Sequence, residues 1–155
     1  MTRRSLLAGC AALFAASSAP KSWAADKFEV THTDEEWRKL LSPDQYAVLR
    51  KAATERAFSS KLLHEERKGV FACAGCDLDL FRSDTKFDSG TGWPSFWKPI
   101  DNAVDTRRDL SFGMIRDAVE CHRCGGHLGH VFDDGPKPTG LRYCMNGVAM
   151  TFKAA

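Results

Sequence analysis

Two Cys-x-x-Cys pairs, Cys73/Cys76 and Cys121/Cys124, stand on either side of a 44-residue gap covering positions 77 to 120, and one more cysteine, Cys144, follows them. A Cys-x-x-Cys turn holds two thiolates on one side of a tetrahedral metal, and a second such turn closes the other side. Four thiolates leave no open coordination position, so the donor set suits one structural Zn2+ rather than a catalytic one. Gly75 inside the first turn and Gly125-Gly126 after the second supply the permissive backbone that such knuckles use. The gap is too long for a single compact finger, so the metal is expected to pin two distant parts of one domain. The same spacing also suits two disulfides, or a redox-active pair whose thiols are free.

The start of the chain reads as a targeting segment. Arg3-Arg4 precede the apolar run Leu6 to Ala16, and Ser22-Trp23-Ala24 places small residues at −3 and −1 of a cleavage site. Residues 1–24 are therefore expected to be a signal peptide, of twin-arginine type because the adjacent arginines lead into Ser5-Leu6-Leu7, with the mature protein starting at Ala25 in the bacterial periplasm. Leu7-Ala8-Gly9-Cys10 also resembles a lipoprotein box, but the apolar segment ahead of Cys10 is too short, and simple export is the preferred reading. Loss of Arg3, Arg4 and Lys21 takes the formal charge from +2 to −1. No basic excess then remains for nucleic acid, and the apolar run is too short for stable membrane insertion. Residues 25–155 suffice for one domain with an adequate core, and nothing in them demands more than a monomer.

Thr33-Asp-Glu-Glu36 and Ser42-Pro-Asp-Gln45 each have the form of a capping box, the second with proline at the first helical position. Two short helices are expected there, with Trp37, Leu40 and Leu41 on the inward face of the first and Tyr46, Leu49 and Ala53 on that of the second. From Gly69 onward β-type runs alternate with turn residues: Val70 to Ala72, Ser111 to Ile115, Leu128 to Phe132 and Val148 to Phe152. The fold class expected is mainly β, an antiparallel sheet protein with short N-terminal helices.

Cys144 lies in Arg142-Tyr-Cys-Met-Asn146, downstream of His127 and His130. On a strand, period two would send Arg142, Cys144 and Asn146 to one face, setting a cation and an amide beside a thiol. Arg142 would favour the thiolate, the reactive form, and either imidazole could serve as an acid. Taken singly, Cys144 also reads as an inert buried cysteine, and the histidines as packing residues or metal ligands. His32, His64 and His122 show no partner pattern, His122 reading as an exposed spacer between ligands.

Taken together, Cys73-Ala-Gly-Cys76, Lys86-Phe-Asp-Ser-Gly-Thr-Gly-Trp-Pro-Ser-Phe96, Cys121-His-Arg-Cys124, His127-Leu-Gly-His130-Val-Phe-Asp-Asp-Gly-Pro136 and Arg142-Tyr-Cys-Met-Asn146 resemble the B-type methionine sulfoxide reductases, over about Val30 to Phe152. The resemblance implies two antiparallel sheets, a structural zinc on the four cysteines, and reduction of methionine (R)-sulfoxide in oxidised proteins. It implies Cys144 as the nucleophile, His127 and His130 as candidate acids, Arg142 and Asn146 around the sulfur, and Asp134 as an acidic position orienting a histidine. Trp93 would wall the substrate methyl. One departure stands out, because many members carry a cysteine where this chain has Thr91, and that cysteine resolves the oxidised nucleophile as a disulfide. With Thr91 there, the expected reductant is an external thiol, from a thioredoxin-like protein or a small molecule.

Overall fold

The computed structural model describes residues 28–155; the expected leader and its Cys10 lie outside them. Helix α1 spans Asp34–Leu40 and α2 spans Pro43–Lys51. Both capping boxes form: the Thr33 and Ser42 hydroxyls accept from the N3 amides, while Glu36 and Gln45 reach back to the cap amides. Trp37, Tyr46 and Leu49 are buried as expected. Leu40 is not: at the last position of α1 it is 60% exposed, while Leu41 at the C-cap is buried as expected.

Nine strands follow: β1 (Gly69–Cys73), β2 (Asp79–Arg82), β3 (Lys86–Phe87), β4 (Ser95–Phe96), β5 (Val104–Asp109), β6 (Arg116–Cys121), β7 (His127–Phe132), β8 (Arg142–Met145) and β9 (Met150–Ala154). They form two antiparallel sheets, ordered β2-β1-β9 and β3-β4-β8-β7-β6-β5. Phe71 of β1 and Phe81 of β2 pack on Phe96 of β4, with ring centroids 4.9 and 4.4 Å apart, and so join the sheets. All three rings are fully buried, each contributing about 2 kcal/mol of apolar burial. Helix α2 lies over β7 and the turn before β9.

Two expected strands differ. Ser111 to Ile115 is the tip of the β5–β6 hairpin, where Phe112 (φ 54) and Gly113 (φ 68) turn the chain through left-handed backbone. Its apolar residues have no partner strand to pair with. At Val148 the strand starts late, because the Glu55 carboxylate takes the amides of Gly147 and Val148 and holds Gly147–Ala149 in a 3-10 turn ahead of β9. The remaining β-type runs lie within β1 and β7.

Candidate active site and metal centre

β8 is a central strand of the larger sheet, and Cys144 on it pairs with Ser95 of β4 on one side and His130 of β7 on the other. Residues opposed across antiparallel strands share a face, so hydroxyl, thiol and imidazole stand in one row. His127 joins them through an irregularity. Between Val119 and Glu120 the β6–β7 register slips, leaving Leu128 as an extra residue. Residues three apart on a regular strand face opposite ways; the bulge brings His127 round until its ring centroid lies 5.3 Å from that of His130.

The two imidazoles differ in surroundings. His130 Nε2 lies 2.8 Å from Oδ2 of Asp109, at the end of β5. Asp109 also accepts from the Ser111 amide at 2.9 Å and from Arg116 at 3.0 Å. The Ser111 amide, then His130, hold its carboxyl well below the usual carboxylate range. His127 is buried, and neither of its ring nitrogens has a hydrogen-bond partner among the described residues. Burial, followed by the neighbouring His130, pushes its pKa down to about 4, so the ring is neutral near pH 7. An unpartnered polar group in the interior carries a desolvation cost and calls for an explanation in function.

Around Cys144 runs a line of hydroxyls. Thr91 Oγ1 is 3.8 Å from Cys144 Sγ and 2.8 Å from Ser89 Oγ, which is 2.7 Å from Ser95 Oγ. Burial pushes the Cys144 thiol up, against the opposing pull of Thr91, Arg142 and Ser95. The expected activation by Arg142 is therefore present but outweighed. Arg142 does share a face of β8 with Cys144, and it spends its fork on Asp134, with Nε and Nη2 each 2.8 Å from the carboxylate. Asp134 thus orients an arginine; the carboxylate held against His130 is Asp109, 21 positions before that histidine in the chain.

Asn146 lies one residue past the end of β8. Its side chain donates to the Leu128 carbonyl at 3.0 Å and accepts from the Glu55 amide at 3.0 Å, clamping three segments together. Glu55 was not legible in the sequence as a site residue, yet its carbonyl also accepts from the Trp93 indole at 3.0 Å. Burial raises the pKa of its carboxyl, with the Gly147 and Val148 amides acting against that. Trp93, half-buried, is fixed two residues beyond Thr91.

The four paired cysteines gather separately, at the β1–β2 and β6–β7 turns, with ligand atoms within 4.8 Å of one another. Cys73 Sγ is 3.7 Å from Cys124 Sγ, and Cys76 Sγ is 3.5 Å from Cys121 Sγ. Two sulfurs bound at about 2.3 Å in a tetrahedron stand about 3.8 Å apart, so the quartet fits one metal ion held by four thiolates. Disulfides would need about 2.05 Å. Arg50 of α2 donates to the Cys124 carbonyl and Arg123 to that of Cys76, bracing both knuckles. His122 stays outside, exposed against Asp105.

Residues 41–154 match the SelR domain. Three similar proteins, each called peptide methionine sulfoxide reductase MsrB, illustrate the relation. That of Bradyrhizobium diazoefficiens is 58% identical over 123 residues, covering 79% of this chain and 88% of its own. That of Pseudomonas putida is 56% identical over 126 residues, covering 81% and 95%. That of Leptospira interrogans is 52% identical over 127 residues, covering 81% and 97%. The matched span holds both Cys-x-x-Cys pairs and the Cys144 row, and on it the chain belongs to the SelR-domain family.

Proposed function

We propose that this chain reduces methionine (R)-sulfoxide in oxidised proteins to methionine, with Cys144 as nucleophile. The observation that carries the reading is the row itself: a thiol opposed across the sheet by an imidazole whose far nitrogen is held by Asp109. Cys144 sulfur attacks the sulfoxide sulfur, and the sulfoxide oxygen takes a proton and passes to Cys144. Methionine leaves and Cys144 becomes a sulfenic acid. Asp109 fixes the His130 ring and leaves Nδ1 for the sulfoxide oxygen. His127, neutral and with unused nitrogens, suits a hydrogen bond to the same oxygen. Trp93 supports the reading as an apolar wall for the methyl group.

Thr91 cannot form a disulfide. An external thiol, from a thioredoxin-like protein or a small molecule, then displaces water from the sulfenic acid to give a mixed disulfide, and a second thiol restores Cys144. Cys73, Cys76, Cys121 and Cys124 would hold the zinc, which when bound braces the two turns with all four positions filled by protein. Export through residues 1–24 belongs to the same proposal, and an N-terminus at Ala25 in protein recovered from cells would support it. Among the described residues no helix is long and apolar enough to cross a membrane.

The experiment is dithiothreitol-supported turnover of stereochemically pure R and S methionine sulfoxide peptides, with Cys144→Ser alongside. Turnover of R alone, lost in the variant, is expected; no turnover of either epimer by folded, metal-loaded protein overturns the reading.

A further inference from the structure

Six large apolar residues are exposed among the described residues, and five of them lie on two segments tied to the surroundings of Cys144, the β5–β6 tip that follows Asp109 and Phe58 on Gly92. Leu110, Phe112, Met114 and Ile115 crowd the β5–β6 tip, and the last β5 residue before that tip is Asp109, in contact with His130. On the other side Phe58 sits on Gly92, its amide donating to the Gly92 carbonyl at 2.7 Å, between Thr91 and Trp93. Phe112 is 89% exposed and Phe58 69%. Both also hold left-handed backbone, at φ 54 and φ 64, and they are the only large apolar residues among the described positions that do so. A bulky side chain there costs roughly 1–3 kcal/mol, and for these two no burial offsets it. Soluble surfaces seldom gather apolar side chains so closely without a partner.

We propose that the hairpin tip and Phe58 form two apolar rims that hold an extended polypeptide across Cys144, gripping apolar residues on either side of the oxidised methionine. This rests on the reductase reading. Continuity with the candidate site fixes the occupant: a chain whose sulfoxide reaches Cys144 must pass its flanking residues over one rim or both. Methionine is a core residue whose oxidation disrupts apolar packing, so the flanks exposed by the lesion are themselves apolar. Charge complementarity does not compete with this, because each arginine of the hairpin is paired with a carboxylate, Arg107 with Glu120, Arg108 with Asp117 and Arg116 with Asp109.

The test compares two peptides of equal charge carrying one methionine (R)-sulfoxide, flanked by leucine and phenylalanine or by serine. With full-length wild-type protein the apolar-flanked peptide should have the higher kcat/KM, expressed mainly in KM. Phe112→Ser/Ile115→Ser should lower the ratio of the two kcat/KM values by roughly tenfold, and Phe58→Ser by less. Leu40→Ser, the exposed apolar residue away from the site, should leave the ratio alone. Equal use of both peptides by wild type, or an unchanged ratio in the double variant, overturns the rims and leaves the reductase standing. So does a concentration-dependent dimer, seen by sedimentation and lost in the double variant, which would give the patch to a second copy. Turnover of neither peptide overturns both.

Discussion

Asp109 shows how much a site can rest on a residue that carries no motif of its own. It holds His130 by one oxygen while an amide and an arginine hold it in turn. Asp109→Asn should lower kcat by roughly tenfold or more and move a limb of the pH–kcat profile, which loss of packing alone would not do. Cys144, pushed up by burial, should alkylate faster as pH rises through and beyond the ordinary thiol range. Thr91→Val removes the largest of the contacts opposing that shift and should move the alkylation midpoint higher still; iodoacetamide rates against pH decide it. For His127 the sign follows from its lowered value. The unfolded chain binds a proton near pH 6.5 and the folded chain only near about 4. Stability from the neutral ring is thus full above pH 6.5 and is lost on descent toward 4, by about 2 kcal/mol between pH 7 and 5. Urea midpoints of wild type and His127→Gln over that range should diverge accordingly. Cys144 and both histidines were legible because their residue types are chemically loaded; Asp109 and Glu55 were not, since only the folded sheet sets them against His130 and Trp93.

Among the elements, the capped helices could be read directly because their signals are local: a hydroxyl, an acid or amide three residues on, and a proline. Ser42→Ala should cost about 1 kcal/mol in denaturant unfolding. β5 and β6 escaped notice for a physical reason. Their sequences, Val104 to Asp109 and Arg116 to Cys121, are rich in charges whose partners lie across the hairpin, as Arg107 with Glu120. Apolar residues at their tip gave the opposite error, a run that resembles a strand yet turns through Phe112. The bulge at Leu128 was equally invisible, although without it His127 would face away from His130. Next to it, a Cβ at Gly129 would lie 2.1 Å from the Cys144 carbonyl, with backbone as its obstacle. Gly129→Ala should therefore push β7 from β8 and abolish turnover at unchanged metal content.

At the scale of the whole molecule, the metal quartet joins the smaller sheet, through the end of β1, to the larger one, through the end of β6. Chelation of the metal, or Cys121→Ser, should lower the thermal midpoint on the order of 10 °C or more, as followed by circular dichroism. Four of the five cysteines described are gathered in that quartet, and Cys144 lies apart from them beside Thr91. Stoichiometry follows from this division of sulfur. With metal bound and the leader gone, each molecule offers a single titratable thiol, so a thiol count on protein exposed to one equivalent of oxidant reads directly the fraction of molecules awaiting a reductant.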